Sequence, residues 1–361
     1  MNHLIEQYTI ATTQKYNFPQ PTIDATLPQR FIEQSIYSLR NVQNQTIQLN
    51  QQTIQQETPT HTLQLKLDPI PLKPRHEETP VAAIDTSSMK IGETSLGILI
   101  AVRGATVHKH NRHYNYMRIG PFIFHVTEEN KKEVYASLQT AYFAFSHEHT
   151  QTYQGMMNIA QMPTRIANLL EKWLQTTLTK TLSKSLILFD GSLTAGTPDT
   201  PTRLMKETLR IARERGNAVL AFSKMTNLRV NGHIITEMQP SHKPPYLLEA
   251  VGLKPKPPIV LLGDIYVARL THGNYAFRLD IDKELRHEQK IGSVESLLGN
   301  DLLQQSYPET LRLAHILCTF TANEVIAMQH FITRKYGLKI LNRPDIHRLL
   351  FGLFGRGEGY A

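Results

Sequence analysis

The sequence predicts an α/β protein built on a mixed β-sheet with helices on its faces, an N-terminal extension before it and a helical C-terminal part after it. Three observations carry this prediction. From Val81 onward, short runs rich in Val, Ile, Leu and Phe recur between polar or glycine-containing turns, as strands do. Longer stretches with apolar residues at helical spacing, such as PTRIANLLEKWLQTTLTKTL (163–182), lie between them. The order of the two kinds, three strands, a helical crossing and then a further strand, is what a mixed sheet with covered faces requires.

Residues 1–75 read as an extension and linker. They are rich in Gln and Thr (NVQNQTIQLNQQTIQQET, 41–58) and run into the proline-punctuated LDPIPLKPRHEETP (67–80). Within them FIEQSIYSLRNV (31–42) suits a helix, and TIQLNQQTIQQ and HTLQLKLD alternate like strands. The main domain is expected over 76–337. VAAIDTSS (81–88), SLGILIAVRGATV (95–107) and GPFIFHV (120–126) form an antiparallel meander, with HKHNRHYNYMR (108–118) as a loop in its second hairpin. A helix follows in TEENKKEVYASLQTAYFAF (127–145), and the long helix 163–182 starts with Pro163 in its first turn. SLILFD (185–190) returns to strand. The charged helix TPTRLMKETLRIARERG (200–216) stops at Gly216 and leads into the strand NAVLAFSK (217–224). Residues 230–256 read as a proline-rich loop, then PPIVLLGDIYVARL and NYAFRLDI as an antiparallel pair, then three helices in 293–303, 307–321 and 322–337. The glycine-rich end of 338–361 reads as a tail.

Composition narrows the function classes. Lys and Arg number 39 against 31 Asp and Glu, a formal charge of +8 that suits an acidic polymer as partner. The one cysteine, Cys318, excludes an internal disulfide and a cysteine-based zinc site, and fits a reducing compartment. The amino terminus lacks the basic start and apolar core of a signal peptide, and no apolar run reaches membrane-spanning length. A soluble cytoplasmic protein is expected, with no membrane partner.

Two strands each end in a carboxylate, Asp85 and Asp190. A carboxylate at the end of a buried strand needs a cation or hydrogen bonds to stay charged. Hard divalent ions, manganese or magnesium, take carboxylate oxygens and leave room for water and substrate. Glu171, among Leu169, Leu170 and Leu174 on the crossing helix, is placed to reach both aspartates. Three carboxylates suit two ions acting on a phosphodiester. Each also has a plainer reading: Asp85 opening a loop, Asp190–Gly191 making a turn, Glu171 solvated beside Lys172. His315, in YPETLRLAHILC, is either a hydrogen-bonded core residue or a titrating group near the metal, with Tyr307 at the start of the same helix.

These residues resemble the NurA nuclease family, whose members work with the HerA helicase-translocase at DNA ends. The likeness lies in AAIDTSS, Glu171 followed by the strand-borne FDGSL, and YPETLRLAH, all in one order over about residues 80–325. The family's first motif reads Asp-Gly-Ser, and here Thr86 follows Asp85. The resemblance implies an RNase H-like core and a manganese-dependent DNA nuclease (magnesium as the alternative ion) with 5′ to 3′ end processing in double-strand break repair. It also implies a homodimer docked on a HerA-type hexameric ATPase. Asp85, Glu171 and Asp190 would be metal ligands, with His315 and Tyr307 as supporting catalytic residues. The chain carries no G-x-x-x-x-G-K-[ST] motif, so any ATPase would act in trans.

Basic residues offer a DNA path. Lys224 ends its strand beside the expected site, and Arg203 leads a basic helix face with Lys206, Arg210, Arg213 and Arg215, which Glu207 and Glu214 interrupt. Arg112 lies in HKHNRHYNYMR, whose mixture of His, Arg and Tyr could follow a single strand or be ordinary loop composition. A zinc site from His108, His110 and His113 is disfavoured for want of a fourth ligand. Two rival readings are a non-catalytic DNA-end clamp or helicase adaptor, and an RNA or hybrid nuclease on the same fold.

Overall fold

The computed structural model describes residues 32–34, 36, 37, 63–143, 158–238, 240 and 242–341. The segments TIQLNQQTIQQ and FGLFGRGEGYA lie outside the described residues, as does most of FIEQSIYSLRNV. A large mixed sheet forms the centre, flanked by helices. Its first five long strands are β1 (Val81–Glu93), β2 (Gly97–His110), β3 (His113–Thr127), β4 (Leu186–Asp190) and β5 (Ala218–Ser223). They lie in the order β3-β2-β1-β4-β5, with β4 parallel to both β1 and β5 and β2 antiparallel to its two neighbours. That is the RNase H-like arrangement. Three antiparallel strands continue the sheet past β5: β6 (Tyr246–Val251), β7 (Gly263–Arg269) and β8 (Phe277–Asp282), in the order β5-β8-β7-β6.

Side-chain alternation splits β1 between two layers. Ala82 and Ile84 face a core shared with α1 (Lys131–Phe143), α2 (Met162–Thr181) and α3 (Thr202–Glu214). Val81 and Ala83 face a second core with α4 (His287–Asn300) and α5 (Glu309–Cys318). A third cluster seats α6 (Ala322–Tyr336) on Leu99, Ala101 and Ile123. Helix α6 is set at both ends, by a Thr321–Glu324 capping box and by Gly337 at φ +65°. Helix α2 has Pro in its first turn and buries Ile166, Leu169, Leu170, Leu174 and Leu178, a helical stripe aimed at the sheet.

Three sequence expectations need correction. Strand β1 does not end at Asp85 but runs on to Glu93. Its parallel partner β4 stops, whereas β2 goes on pairing through Glu93↔Ile98, so one ladder still holds the backbone extended. Residues 108–118 are mostly not a loop: β2 and β3 pair as far as His110↔His113, leaving a turn of Asn111 and Arg112 with Asn111 at φ +56°. Residues 230–256 contain the buried strand β6, whose apolar core YLLEAV is short and sits between proline and glycine, so turn signals mask it.

Residues 63–80 join the outer sheet to the centre. Gln64–Leu65 and Ile70–Pro71 pair with β6, and the chain then crosses α4, where Arg75 N donates to Glu295 O at 2.9 Å and Asn300 Nδ2 donates to Glu77 O at 2.9 Å. A Cβ on Gly299 would lie 1.7 Å from the Arg75 carbonyl oxygen, so only glycine lets helix and crossing chain meet there.

Candidate metal centre

The site lies at the carboxyl ends of the parallel strands, where open α/β sheets place ligands. Register puts Asp85 and Asp190 side by side: β1 and β4 pair from Val81↔Leu186 to Ile84↔Phe189, and the two aspartates come next on each strand. Asp85 is 5% exposed. Its Oδ1 accepts from Thr86 N at 2.7 Å and its Oδ2 accepts from His315 Nδ1 at 2.7 Å. Lys224 Nζ is 2.6 Å from Asp190 Oδ2 and 3.8 Å from Asp85 Oδ2, so one ammonium ties the two strand ends together. Lys224 is placed for this because it directly follows β5, the other parallel neighbour of β4.

The turn after Asp190 is held firmly. Gly191 takes φ +100°, its N–H reaches Phe222 O at 2.8 Å, and Ser223 Oγ donates to its carbonyl at 2.9 Å. Further on, Leu193 N donates to Asp280 Oδ2 at 3.0 Å, and Asp280 is itself gripped by Arg278 at 2.7 Å. Asp190 therefore leaves the sheet in a fixed direction.

Glu171 reaches the site from α2, which packs close to the sheet because Gly104 on β2 has no side chain. A Cβ there would lie 2.6 Å from Leu174 Cδ1 and 3.3 Å from Leu170 Cδ2. Thr86, in register with Gly104, donates from Oγ1 to Ala167 O at 3.3 Å and ties β1 to the same helix. Thr86 sits in ordinary paired strand, so the glycine expected there is not needed for backbone freedom.

Charge is unbalanced at this locus. Burial pushes the Glu171 carboxyl up, Lys172 pulls it down, and Asp85 and Asp190 push it up again. Asp190 is also raised, by burial first, then by Asp85, against the hydrogen bond from Lys224. Glu171 thus feels both aspartates and Asp190 feels Asp85, and carboxylates in a partly dry setting are hard oxygen donors suited to divalent cations. Among the described residues, the His, Cys, Asp and Glu side chains whose ligand atoms all lie within 4.8 Å of one another are Asp85, His315 and Cys318, a group that does not include Glu171 or Asp190. The Cys318 thiol, however, is pushed up by burial and then by Asp85, and donates to His315 O, so it stays protonated and is a poor ligand.

His315 lies on α5, with its side chain 52% exposed. A carboxylate only accepts, so Nδ1 carries the proton toward Asp85 and Nε2 is the basic nitrogen. Tyr307, just before α5, is 9% exposed, packs against Phe222 and Phe277, and has Lys224 Nζ 5.9 Å from its ring centre. Its hydroxyl is buried and has no hydrogen-bond partner among the described residues. Burial, then Asp190 and Asp85, raise it, so it stays a phenol.

Asp85, Glu171, Asp190, His315, Tyr307 and Lys224 thus come together. Arg112 does not: it is in the turn at the far end of the β2–β3 hairpin, seven residues along β2 from the partner of Asp85, or roughly 20 Å. Arg203 opens α3, while Arg210 pairs with Glu207 and Glu214, Arg213 with Asp282, and Arg215 with the Leu182 carbonyl. Sequence reasoning missed Gln175, which with Lys172 grips Glu171: Gln175 Nε2 donates to its Oε1 at 2.6 Å and Lys172 Nζ at 3.3 Å. The i to i+4 spacing of Glu171 and Gln175 was the only signal available.

No family model and no curated protein matches the chain. Among solved structures it is similar to the NurA nuclease from Sulfolobus solfataricus, at 14% identity and a TM-score of 0.45, over 74% of this chain and 88% of that one. It is also similar to endonuclease V from Bacillus subtilis, at 12% identity and a TM-score of 0.31, over 75% and 88% of the two chains. A third likeness is to Argonaute from Kluyveromyces polysporus with a guide RNA, at 9% identity and a TM-score of 0.26, over 75% of this chain and 30% of that one.

Proposed function

We propose that this chain is a divalent-metal-dependent nuclease that hydrolyses phosphodiester bonds at DNA ends. One observation carries the reading: Asp85 and Asp190, next to each other at the ends of paired parallel strands, share the Lys224 ammonium, and Glu171 on the crossing helix feels both of them. Asp85, Glu171 and Asp190 would hold the metal, a pair of manganese or magnesium ions. When bound, such ions activate water and offset charge on the phosphoryl oxygens.

The other residues have separate tasks. With Nδ1–H committed to Asp85, His315 has Nε2 free to receive a proton or, once charged, to give one to the leaving oxygen. Tyr307 keeps its proton and is a donor without an acceptor, suited to a phosphate oxygen. The Lys224 ammonium, shared between two aspartates, is the cation at this locus that would contact a substrate phosphate. A formal charge of +8 favours a polyanionic substrate. From the NurA resemblance we take the wider setting: 5′ to 3′ trimming of ends in double-strand break repair, as a cytoplasmic homodimer with a HerA-type hexameric ATPase supplied in trans.

The test is cleavage of end-labelled single-stranded DNA, duplex DNA, RNA and hybrid with Mn2+, Mg2+ or chelator. DNA cleavage that requires metal is expected. Asp85→Ala should lower it by roughly 10³-fold, the equivalent of about 4 kcal/mol of charge stabilisation. Metal-dependent cleavage that survives in Asp85→Ala would refute the assignment, and binding of DNA without cleavage would favour the clamp.

A further inference from the structure

We infer that Gln175 is a positioning residue that, with Lys172, holds the Glu171 carboxylate by one oxygen and presents the other to the metal. The inference rests on the reading of Glu171 as a ligand. The three side chains form a closed triangle. Gln175 Nε2 donates to Glu171 Oε1 at 2.6 Å, Lys172 Nζ donates to the same oxygen at 3.3 Å, and Lys172 Nζ also donates to Gln175 Oε1 at 3.2 Å. Both grips fall on Oε1. Oε2 has no hydrogen bond among the described residues, while the carboxylate as a whole feels both Asp85 and Asp190.

Gln175 is 1% exposed on a helix whose neighbouring inward positions are Leu174 and Leu178. An apolar residue there would bury area with no polar group to satisfy, whereas a buried amide is tolerated only with its donor and acceptor engaged. Both ends of this amide are engaged, and among the described residues only by Glu171 and Lys172. Among the described residues no hydrogen bond of its amide ties α2 to another element, so what the amide fixes is the Glu171 side chain. Partners of this kind orient metal-ligating side chains, and their loss typically costs about 10–100-fold in metal affinity or activity.

The experiment measures Mn2+ binding by calorimetry on the full chain, with Gln175→Met as an apolar replacement of similar length and Gln175→Leu as a second variant. Glu171→Gln and Asp85→Ala run alongside. Either Gln175 variant that keeps the wild-type circular dichroism carries the test. Expected is a melting temperature in chelator no lower than wild type, Mn2+ affinity weaker by about 10–100-fold, and cleavage that recovers as Mn2+ is raised. Wild-type Mn2+ affinity in a folded Gln175 variant overturns the inference when Glu171→Gln and Asp85→Ala do lose the ion. If those two bind Mn2+ like wild type, the metal-centre reading itself fails.

Discussion

Replacing Gly104 with alanine tests how the sheet delivers Glu171. The new methyl would sit 2.6 Å from Leu174 Cδ1 and 3.3 Å from Leu170 Cδ2, where comfortable carbon contacts are about 3.5–4.0 Å. It therefore intrudes by about 1 Å on Leu174 and by a few tenths of an ångström on Leu170, leucines that are each 1% exposed and flank Glu171 on α2. Relief comes from Leu174 leaving its rotamer or from α2 lifting, at a cost of about 1–3 kcal/mol. Lifting stretches the Thr86 bond to Ala167 and draws Glu171 away from the aspartates. A displacement of about 1 Å at a reacting centre costs on the order of 10²-fold in rate. Urea unfolding and Mn2+-dependent cleavage measure the two effects on the same protein. A double-mutant cycle with Leu174→Ala isolates the contact: truncating Leu174 should cost roughly 1 kcal/mol less in the alanine background than in wild type. Additivity within about 0.5 kcal/mol would mean that Gly104 and Leu174 do not meet as described.

Two further outcomes follow from charge. Burial alone would raise the Glu324 carboxyl, but the Arg103 and Thr321 hydrogen bonds, the Arg103 charge and the Arg118 hydrogen bond outweigh it and bring it down to about 2 from an ordinary 4.5. A lowered folded value means stability present above 4.5 and lost as pH falls toward about 2, so α6 should loosen in acid across that window and Glu324→Gln should flatten the loss, read by denaturant titration at each pH. Lys224→Met removes the cation shared by Asp85 and Asp190. Thermal melting should then show a lower melting temperature in chelator and a larger rise on adding Mn2+ than in wild type, and an unchanged response would mean that the ammonium does not balance those carboxylates.

The carboxylates were legible because each marks a change of texture. Asp85 and Asp190 are the first charges after apolar strands, and Glu171 interrupts an apolar helix stripe. Their convergence followed from element order, since a crossover joining parallel neighbours returns over the strand it left. What escaped depended on strand pairing and burial, which composition does not encode. The length of β1 past Asp85 is set by β2, and the strand character of 108–118 by pairing across the hairpin. Gln175 looked like one more polar helix residue, because only the fold shows it buried against Glu171. Arg112 is offered as a DNA contact on composition alone, which carries no information about which end of a hairpin a residue occupies.

Residues 63–80 bear on where the chain can be cut. They are the strand partners of β6 and the span across α4 that Gly299 admits, and they lead directly into β1, which carries Asp85. A shortened protein starting at residue 76 would strip β6 of this pairing and remove the Lys73 and Arg75 bonds to Glu295 on α4. Recombinant versions should therefore begin before Leu63, because the proline-rich stretch after it serves as a girder of the sheet and not as slack between parts.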